Sequence, residues 1–195
     1  MTFNANIPDK TVDKNTTSHK FKHDLMDFFT GSDIKIENCL EIGTNHGWTT
    51  HILSKLFNNV TTIDFYENNI TEAKKNNFAE SNITYIVGDA YTDFTYSNIH
   101  NKFDAVFIDC VHDYNHVMLD INRALTYKRD DAPIYLIFDD YGHPESTGVK
   151  DAIDDAIKGG LCVERYIGEA SGYSYNKETT LIDHEGIILS YGKEN

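Results

Sequence analysis

Acids and glycines recur at five places along this chain: Glu41-Ile42-Gly43-Thr44-Asn45-His46-Gly47, Asp64, Gly88-Asp89, Asp109 and Asp139-Asp140. The spacing Gly43-x-x-x-Gly47 lets backbone approach a ligand closely and start a helix tightly. Asp64 follows about twenty residues later, an interval at which an acid accepts from both hydroxyls of a ribose. Asp89 can accept from an exocyclic amine, and Phe65, Tyr66 and Tyr91 are candidates to sandwich a base. The first turn lacks GxGxxG spacing, so a nucleoside without a diphosphate fits better than NAD. Asp109, Asp139 and Asp140 offer oxygen donors for a divalent cation such as Mg2+. Singly, each feature is also that of an ordinary turn or a solvated acid; the argument rests on their conjunction.

These residues need elements to hold them. Short apolar runs at Ile36–Ile42, Val60–Phe65, Ile83–Val87, Phe103–Ile108 and Ile134–Phe138 predict buried strands. Trp48–Phe57, Ile70–Phe78, Tyr114–Leu125 and Val149–Ile157 predict amphipathic helices. An earlier helix has Thr17 or Ser18 as N-cap, Phe21, Leu25, Met26, Phe28 and Phe29 at near-helical spacing, and Gly31 as its stop. The alternation predicts βαβ units in a mostly parallel sheet covered on both faces. Leu161–Ile167 and Gly186–Tyr191 are strand-like with no helix between them, an antiparallel finish. The expected fold is α/β: a doubly wound, mostly parallel, Rossmann-like sheet of seven strands with an antiparallel C-terminal strand. One domain spans residues 1–195, with 1–16 a loose lead-in. Such sheets bind ligands beyond the carboxyl ends of their strands. All five acid- and glycine-bearing places fall there, and acids at buried ends are costly unless paired or liganded.

Composition narrows the partners. Lys and Arg total 17 against 31 Asp and Glu, a net charge of −14. Such a surface repels phosphate backbones and disfavours a nucleic-acid partner, leaving room only for a small site in a local basic patch. Cys39, Cys110 and Cys162 are widely spaced, with no CxxC pair, and make neither a disulfide framework nor a zinc site. The N-terminal MTFNANIPDK lacks the apolar core of a signal peptide. No run approaches the roughly 18 apolar residues of a membrane span. The expectation is a reduced, soluble, cytoplasmic protein without membrane association. No motif encodes its oligomeric state.

Together these residues resemble the class I S-adenosylmethionine-dependent methyltransferases. The resemblance is carried by Leu40–Gly47, Thr62-Ile63-Asp64, Val87-Gly88-Asp89-Ala90 and Phe103–Asp109, and covers roughly residues 36–191. It implies S-adenosyl-L-methionine as cofactor, with Glu41, Gly43, Thr44, Asn45 and Gly47 around its methionine part. Asp64 and Phe65 would lie at the ribose, Asp89 and Ala90 at the adenine, and Asp109 beside them.

A narrower resemblance follows. Phe107–Tyr114 and Phe138-Asp139-Asp140-Tyr141-Gly142 are similar to segments of the cation-dependent small-molecule O-methyltransferases of catechol and sugar or macrolide type. It implies a divalent cation held by Asp109, Asp139 and Asp140, and a small hydroxylated acceptor. The sugar type tends to carry Asp-x-Asp-His after the fourth strand, with the second Asp the presumed base; here that position is Val111. The catechol type has a Lys three residues after the metal Asp; here that position is His112. Histidine titrates near neutrality, so His112 is the candidate acceptor of the hydroxyl proton, placed on the first turn of the following helix, with Asp109 beside it and His143 as second candidate. A neutral imidazole is required, so the rate should fall below roughly pH 6.5 unless the nearby acids raise the pKa.

Three rival readings stay open. His112-Asp113-Tyr114-Asn115-His116 is one methylene from HExxH and would suit a metal hydrolase with both histidines on one helix face. An NAD-dependent dehydrogenase lacks its glycine fingerprint, and a non-catalytic cofactor-binding protein shares the fold. Ala170–Tyr175 and residues 1–20 are candidate lids, and Tyr141, Tyr173 and Tyr175 a candidate aromatic or sugar surface.

Overall fold

The computed structural model describes residues 17–31, 34, 37–169 and 184–193. The expected lead-in 1–16, the candidate lid at Ala170–Tyr175, and Tyr173 and Tyr175 lie outside the described residues. The elements run α1 (His19–Thr30), β1 (Asn38–Ile42), α2 (Trp48–Leu56), β2 (Asn59–Asp64), α3 (Glu67–Asn76), β3 (Ile83–Val87), α4 (Asp93–Tyr96), β4 (Ala105–Ile108), α5 (Tyr114–Thr126), β5 (Ile134–Phe138), α6 (Thr147–Lys158), β6 (Cys162–Ile167) and β7 (Gly186–Tyr191).

The seven strands form one sheet in the order β3-β2-β1-β4-β5-β7-β6. The first five are parallel to one another, and β7 lies antiparallel between β5 and β6. Strand order reverses between β1 and β4, where such sheets bind ligands. Register aligns the ends: Ile42 pairs with Ile63 and Ile108, and Ile108 pairs with Phe138. Gly43, Asp64, Asp109 and Asp139, each one residue further, therefore share one edge.

Alternation along the strands fills both faces. Leu40, Ile42, Val106, Ile108, Leu136 and Phe138 join Val117 and Ile121 of α5 and Ile153 of α6 in one core. Cys39, Ala105, Phe107, Tyr135 and Ile137 join α1 and α2 in the other. There Phe21 meets Phe107 edge to face, with ring centroids 6.0 Å apart. Full burial of such side chains contributes about 1.5–3 kcal/mol each. As expected, Ser18 caps α1, its side chain accepting from the Phe21 N–H, and Gly31 ends it.

Boundaries differ where local patterning is weak. Helix α3 starts at Glu67 rather than Ile70 because its first turn, Glu67-Asn68-Asn69, is polar and carries no periodic signal. Phe103 makes an isolated bridge to Lys128 instead of opening β4. Tyr141, expected on an open aromatic surface, is buried, its hydroxyl donating to Asp154 Oδ1 at 2.8 Å. Among the described residues no helix is long and apolar enough to cross a membrane.

Candidate functional site

A cleft of about 860 Å3 opens along the carboxyl edge of the sheet. Its first half is built by β1, β2 and β3. Gly43 has φ +101°, and a Cβ there would lie 1.8 Å from the carbonyl oxygen of Asp109. Only glycine allows the loop after β1 to cross the end of β4 so closely. Within that loop the Asn45 N–H donates to Asp64 Oδ2 at 2.8 Å. The Tyr66 N–H donates to Asp64 Oδ1 at 2.8 Å, and Asn69 Nδ2 reaches both oxygens at 3.1 and 3.2 Å. Asp64 is thus aimed before any ligand arrives. Asp89 Oδ1 accepts the Tyr91 N–H at 2.8 Å in a tight turn that exposes Asp89 and Ala90 to the cleft. Phe65 and Tyr66 stand edge to face on the lip, both 64% exposed.

Three expected cofactor residues do not line this cleft. Glu41 is fully buried: its Oε2 accepts from Thr50 Oγ1 and Thr62 Oγ1, both at 2.6 Å, and Oε1 has no partner among the described residues. Burial pushes its pKa up to about 8, so it keeps its proton at neutral pH. Thr44 and Gly47 line a small adjoining pocket together with Gly43, Asn45 and Asp109, and Thr44 Oγ1 lies 2.5 Å from Thr62 Oγ1. Glu41 thus points inward from β1 and ties that strand to α2 and β2.

The second half is built by the ends of β4 and β5. His112 lies in the connection before α5, not on its first turn as expected, because Asp113 takes the N-cap and accepts the His116 N–H at 3.0 Å. Its Nε2 is 3.4 Å from Asp109 Oδ1 and its Nδ1 is 3.0 Å from Asp140 Oδ2. These two acids hold the imidazole charged, pushing its pKa up to about 10. The condition attached to the expected fall near pH 6.5 therefore applies: the acids do raise it. Asp109 is itself raised by burial and by Asp140. Among the described residues, Asp109, His112 and Asp140 bring ligand atoms within 4.8 Å of one another; Asp139, expected in the set, is not one of the three. It lines the cleft floor, only 6% exposed, its pKa raised by burial and then by Asp140, Asp109 and Glu185.

Two partners of this half escaped sequence reasoning. Lys22 of α1 is fully buried and donates through Nζ to the Thr17 carbonyl. Burial lowers its pKa to about 8, while Glu185, Asp139 and Asp109 pull it back up. Glu185 accepts from the Ser18 N–H at 2.7 Å and from Ser18 Oγ. The available signal was that Lys22 stands on the same helix stripe as Met26 and Phe29. His143 also lines the cleft, and its Nδ1 accepts the Glu145 N–H at 3.0 Å. In the neutral ring Nε2 then carries the proton, so His143 donates rather than accepts. The hydrolase motif does not assemble: His116 lies in α5 with Nδ1 2.6 Å from Asp113 Oδ2, His112 is outside the helix, and they share no ligand set among the described residues.

The family model for a methyltransferase domain matches residues 40–141, just over half of the 195-residue chain. No curated protein matches at the level of sequence. Solved structures do. An O-methyltransferase from Bacillus cereus in complex with SAH is 18% identical with TM-score 0.68, covering 93% of this chain and 84% of that one. Cofactor-bound Rv0187 from MTB is 20% identical with TM-score 0.66, covering 88% and 81%. Aeropyrum pernix fibrillarin with natively bound S-adenosyl-L-methionine is 18% identical with TM-score 0.59, covering 81% and 68%. At these identities the likeness is one of fold. The chain belongs to the methyltransferase-domain family, on the class I fold of S-adenosylmethionine-dependent methyltransferases.

Proposed function

We propose that this methyltransferase acts on a hydroxyl of a small acceptor and uses a divalent cation to do so. One observation carries the reading: Asp109 belongs to both halves of the cleft. Its carbonyl oxygen lies directly under Gly43, while its carboxylate faces His112 and Asp140. A donor on the Gly43 loop and an acceptor oxygen at the acids would therefore be neighbours, the positioning a displacement at carbon requires.

The residues suit both groups. For the cofactor there is the glycine crossing, the pre-aimed Asp64 and the Asp89-Ala90 turn. S-adenosylmethionine, when bound, supplies an electrophilic methyl group. For a cation there are carboxylates on adjacent strand ends, raised by one another and by burial. A divalent ion bound there lowers the pKa of an acceptor hydroxyl. Asp109 and Asp140 hold the acceptor end, and Asp64 and Asp89 orient the nucleoside end. His112 lies between the two acids that would hold the cation, 3.4 Å from Asp109 Oδ1 and 3.0 Å from Asp140 Oδ2, so it is engaged there rather than free to act as the base. The proton then passes to water or a carboxylate at the cleft mouth.

Six carboxylates line the cleft, Asp64, Asp89, Asp109, Asp139, Asp140 and Glu145, with no Lys or Arg among the described lining residues. That field repels polyanions and supports an uncharged or cationic small acceptor over nucleic acid. Cys39, Cys110 and Cys162 are unbridged, as a reducing cytoplasm would keep them. Calorimetric titration with S-adenosylhomocysteine, with and without Mg2+, tests the cofactor. Methylation of catechol and polyol panels, in EDTA and after cation is restored, tests the rest. Absent S-adenosylhomocysteine binding refutes the cofactor; full turnover in excess EDTA refutes the cation.

A further inference from the structure

The resemblance implies an all-oxygen cation set of Asp109, Asp139 and Asp140. The folded chain assembles a different one. We propose that His112 is a nitrogen donor to the cation, completing an Asp109–His112–Asp140 site that prefers a borderline transition metal such as Co2+ or Zn2+ over Mg2+. This rests on the cation reading above and not on the identity of the acceptor.

The geometry supports it at three levels. Ligand atoms of the three residues lie within 4.8 Å of one another. Atoms each about 2.0–2.2 Å from a shared ion sit no more than about 4.4 Å apart, so a small closure suffices. The ring is also flanked on both sides: Nε2 is 3.4 Å from Asp109 Oδ1 and Nδ1 is 3.0 Å from Asp140 Oδ2. The imidazole is charged between these acids without metal. Binding an ion through one nitrogen releases that nitrogen's proton to water, while the other nitrogen keeps its N–H on a carboxylate oxygen, the arrangement that fixes ligating histidines.

The backbone carrying these groups is held from several directions. The Asp109 N–H donates to the Ile42 carbonyl at 2.9 Å. The Asp140 carbonyl accepts the His143 N–H at 3.0 Å. Near the start of α6, a Cβ on Gly148 would lie 3.0 Å from the His112 carbonyl oxygen and 2.7 Å from the Tyr114 nitrogen. Close packing of α6 thus pins the connection that presents the imidazole. Asp139 differs: it brings no atom into that set and lies in the field of Lys22 and Glu185, leaving it a supporting acid.

Ligand softness sets the metal class. Imidazole suits Zn, Cu, Fe and Ni, whereas a carboxylate and water set suits Mg, Ca and Mn. Two carboxylates and one imidazole also leave positions open toward the cleft for water and an acceptor oxygen.

The test is metal binding by the metal-stripped, full-length protein. Calorimetry with Co2+, Mn2+ and Mg2+ is paired with the visible spectrum of the Co2+ form. The wild type should take one Co2+ at least about tenfold more tightly than Mg2+. His112→Ala should lose at least about tenfold in Co2+ affinity, with Mg2+ changed by less than about twofold and an altered Co2+ spectrum. His112→Asp, an all-oxygen set, should shift the preference toward Mg2+. Unchanged Co2+ affinity and spectrum in His112→Ala, or a wild type that prefers Mg2+ or binds no Co2+, overturns the proposal. S-adenosylhomocysteine binding, measured on each variant, reports folding. Its loss in the wild type would sink the methyltransferase reading separately.

Discussion

The two halves of the cleft solve opposite problems. At the ends of β2 and β3 the acids are satisfied: Asp64 accepts from Asn45, Tyr66 and Asn69, and Asp89 accepts from Tyr91. At the ends of β4 and β5 the acids face one another across His112, with Lys22 and Glu185 beneath. The first half is organised by backbone N–H groups and needs no ligand to keep its shape. The second gathers like charge that burial makes costly and that a cation would relieve. Cofactor binding should therefore be independent of metal, whereas turnover should not be.

The largest effect is expected where the halves touch. Gly43→Ala drives a methyl group into the Asp109 carbonyl and strains a positive φ. It should cost about 3 kcal/mol or more, about 6–12 °C in Tm, and abolish S-adenosylhomocysteine binding. Near-wild-type melting and binding would show that the crossing is looser than described. Metal removal separates the halves: EDTA should abolish methyl transfer while changing S-adenosylhomocysteine affinity by less than about twofold. A parallel loss of binding would mean that the two halves are one coupled site. Asp64→Ala acts on the first half alone and should weaken S-adenosylhomocysteine binding by about 1–3 kcal/mol, some 5- to 150-fold. Differential scanning of the apo variant separates that loss from unfolding of the Asn45 turn.

The smallest effect lies behind the cleft. Asp120 is buried beside the Tyr91 hydroxyl, 3.3 Å away, and burial raises its pKa from 3.8 to about 7. The folded chain then binds more protons than the unfolded one between about pH 4 and 7, so this group's contribution to stability falls as pH rises through that window. Asp120→Asn should flatten that part of the Tm–pH curve by a few degrees. A curve identical to wild type would show that Asp120 titrates normally. S-adenosylhomocysteine affinity should stay nearly constant, since Asp120 does not line the cleft.

Much of this arrangement was legible in one dimension. Strand length, helical period and the residue just beyond each apolar run are local properties, so the five strand ends and their acids follow from sequence alone. Gly43 and Asp64 were legible for the same reason, each being the residue at which a strand stops. The burial of Glu41 against Thr50 and Thr62 was not, because those partners come from α2 and β2. Nor was the His112 contact with Asp140, 28 positions apart in sequence. That pairing exists because β4 and β5 are sheet neighbours and because Gly148 brings α6 against the His112 connection. Lys22 reaches the acids only because α1 packs on the face opposite α5 and α6. Patterning determines which residues stand at the carboxyl edge; sheet order and helix packing, which set distances between remote segments, decide which of them share one charge environment.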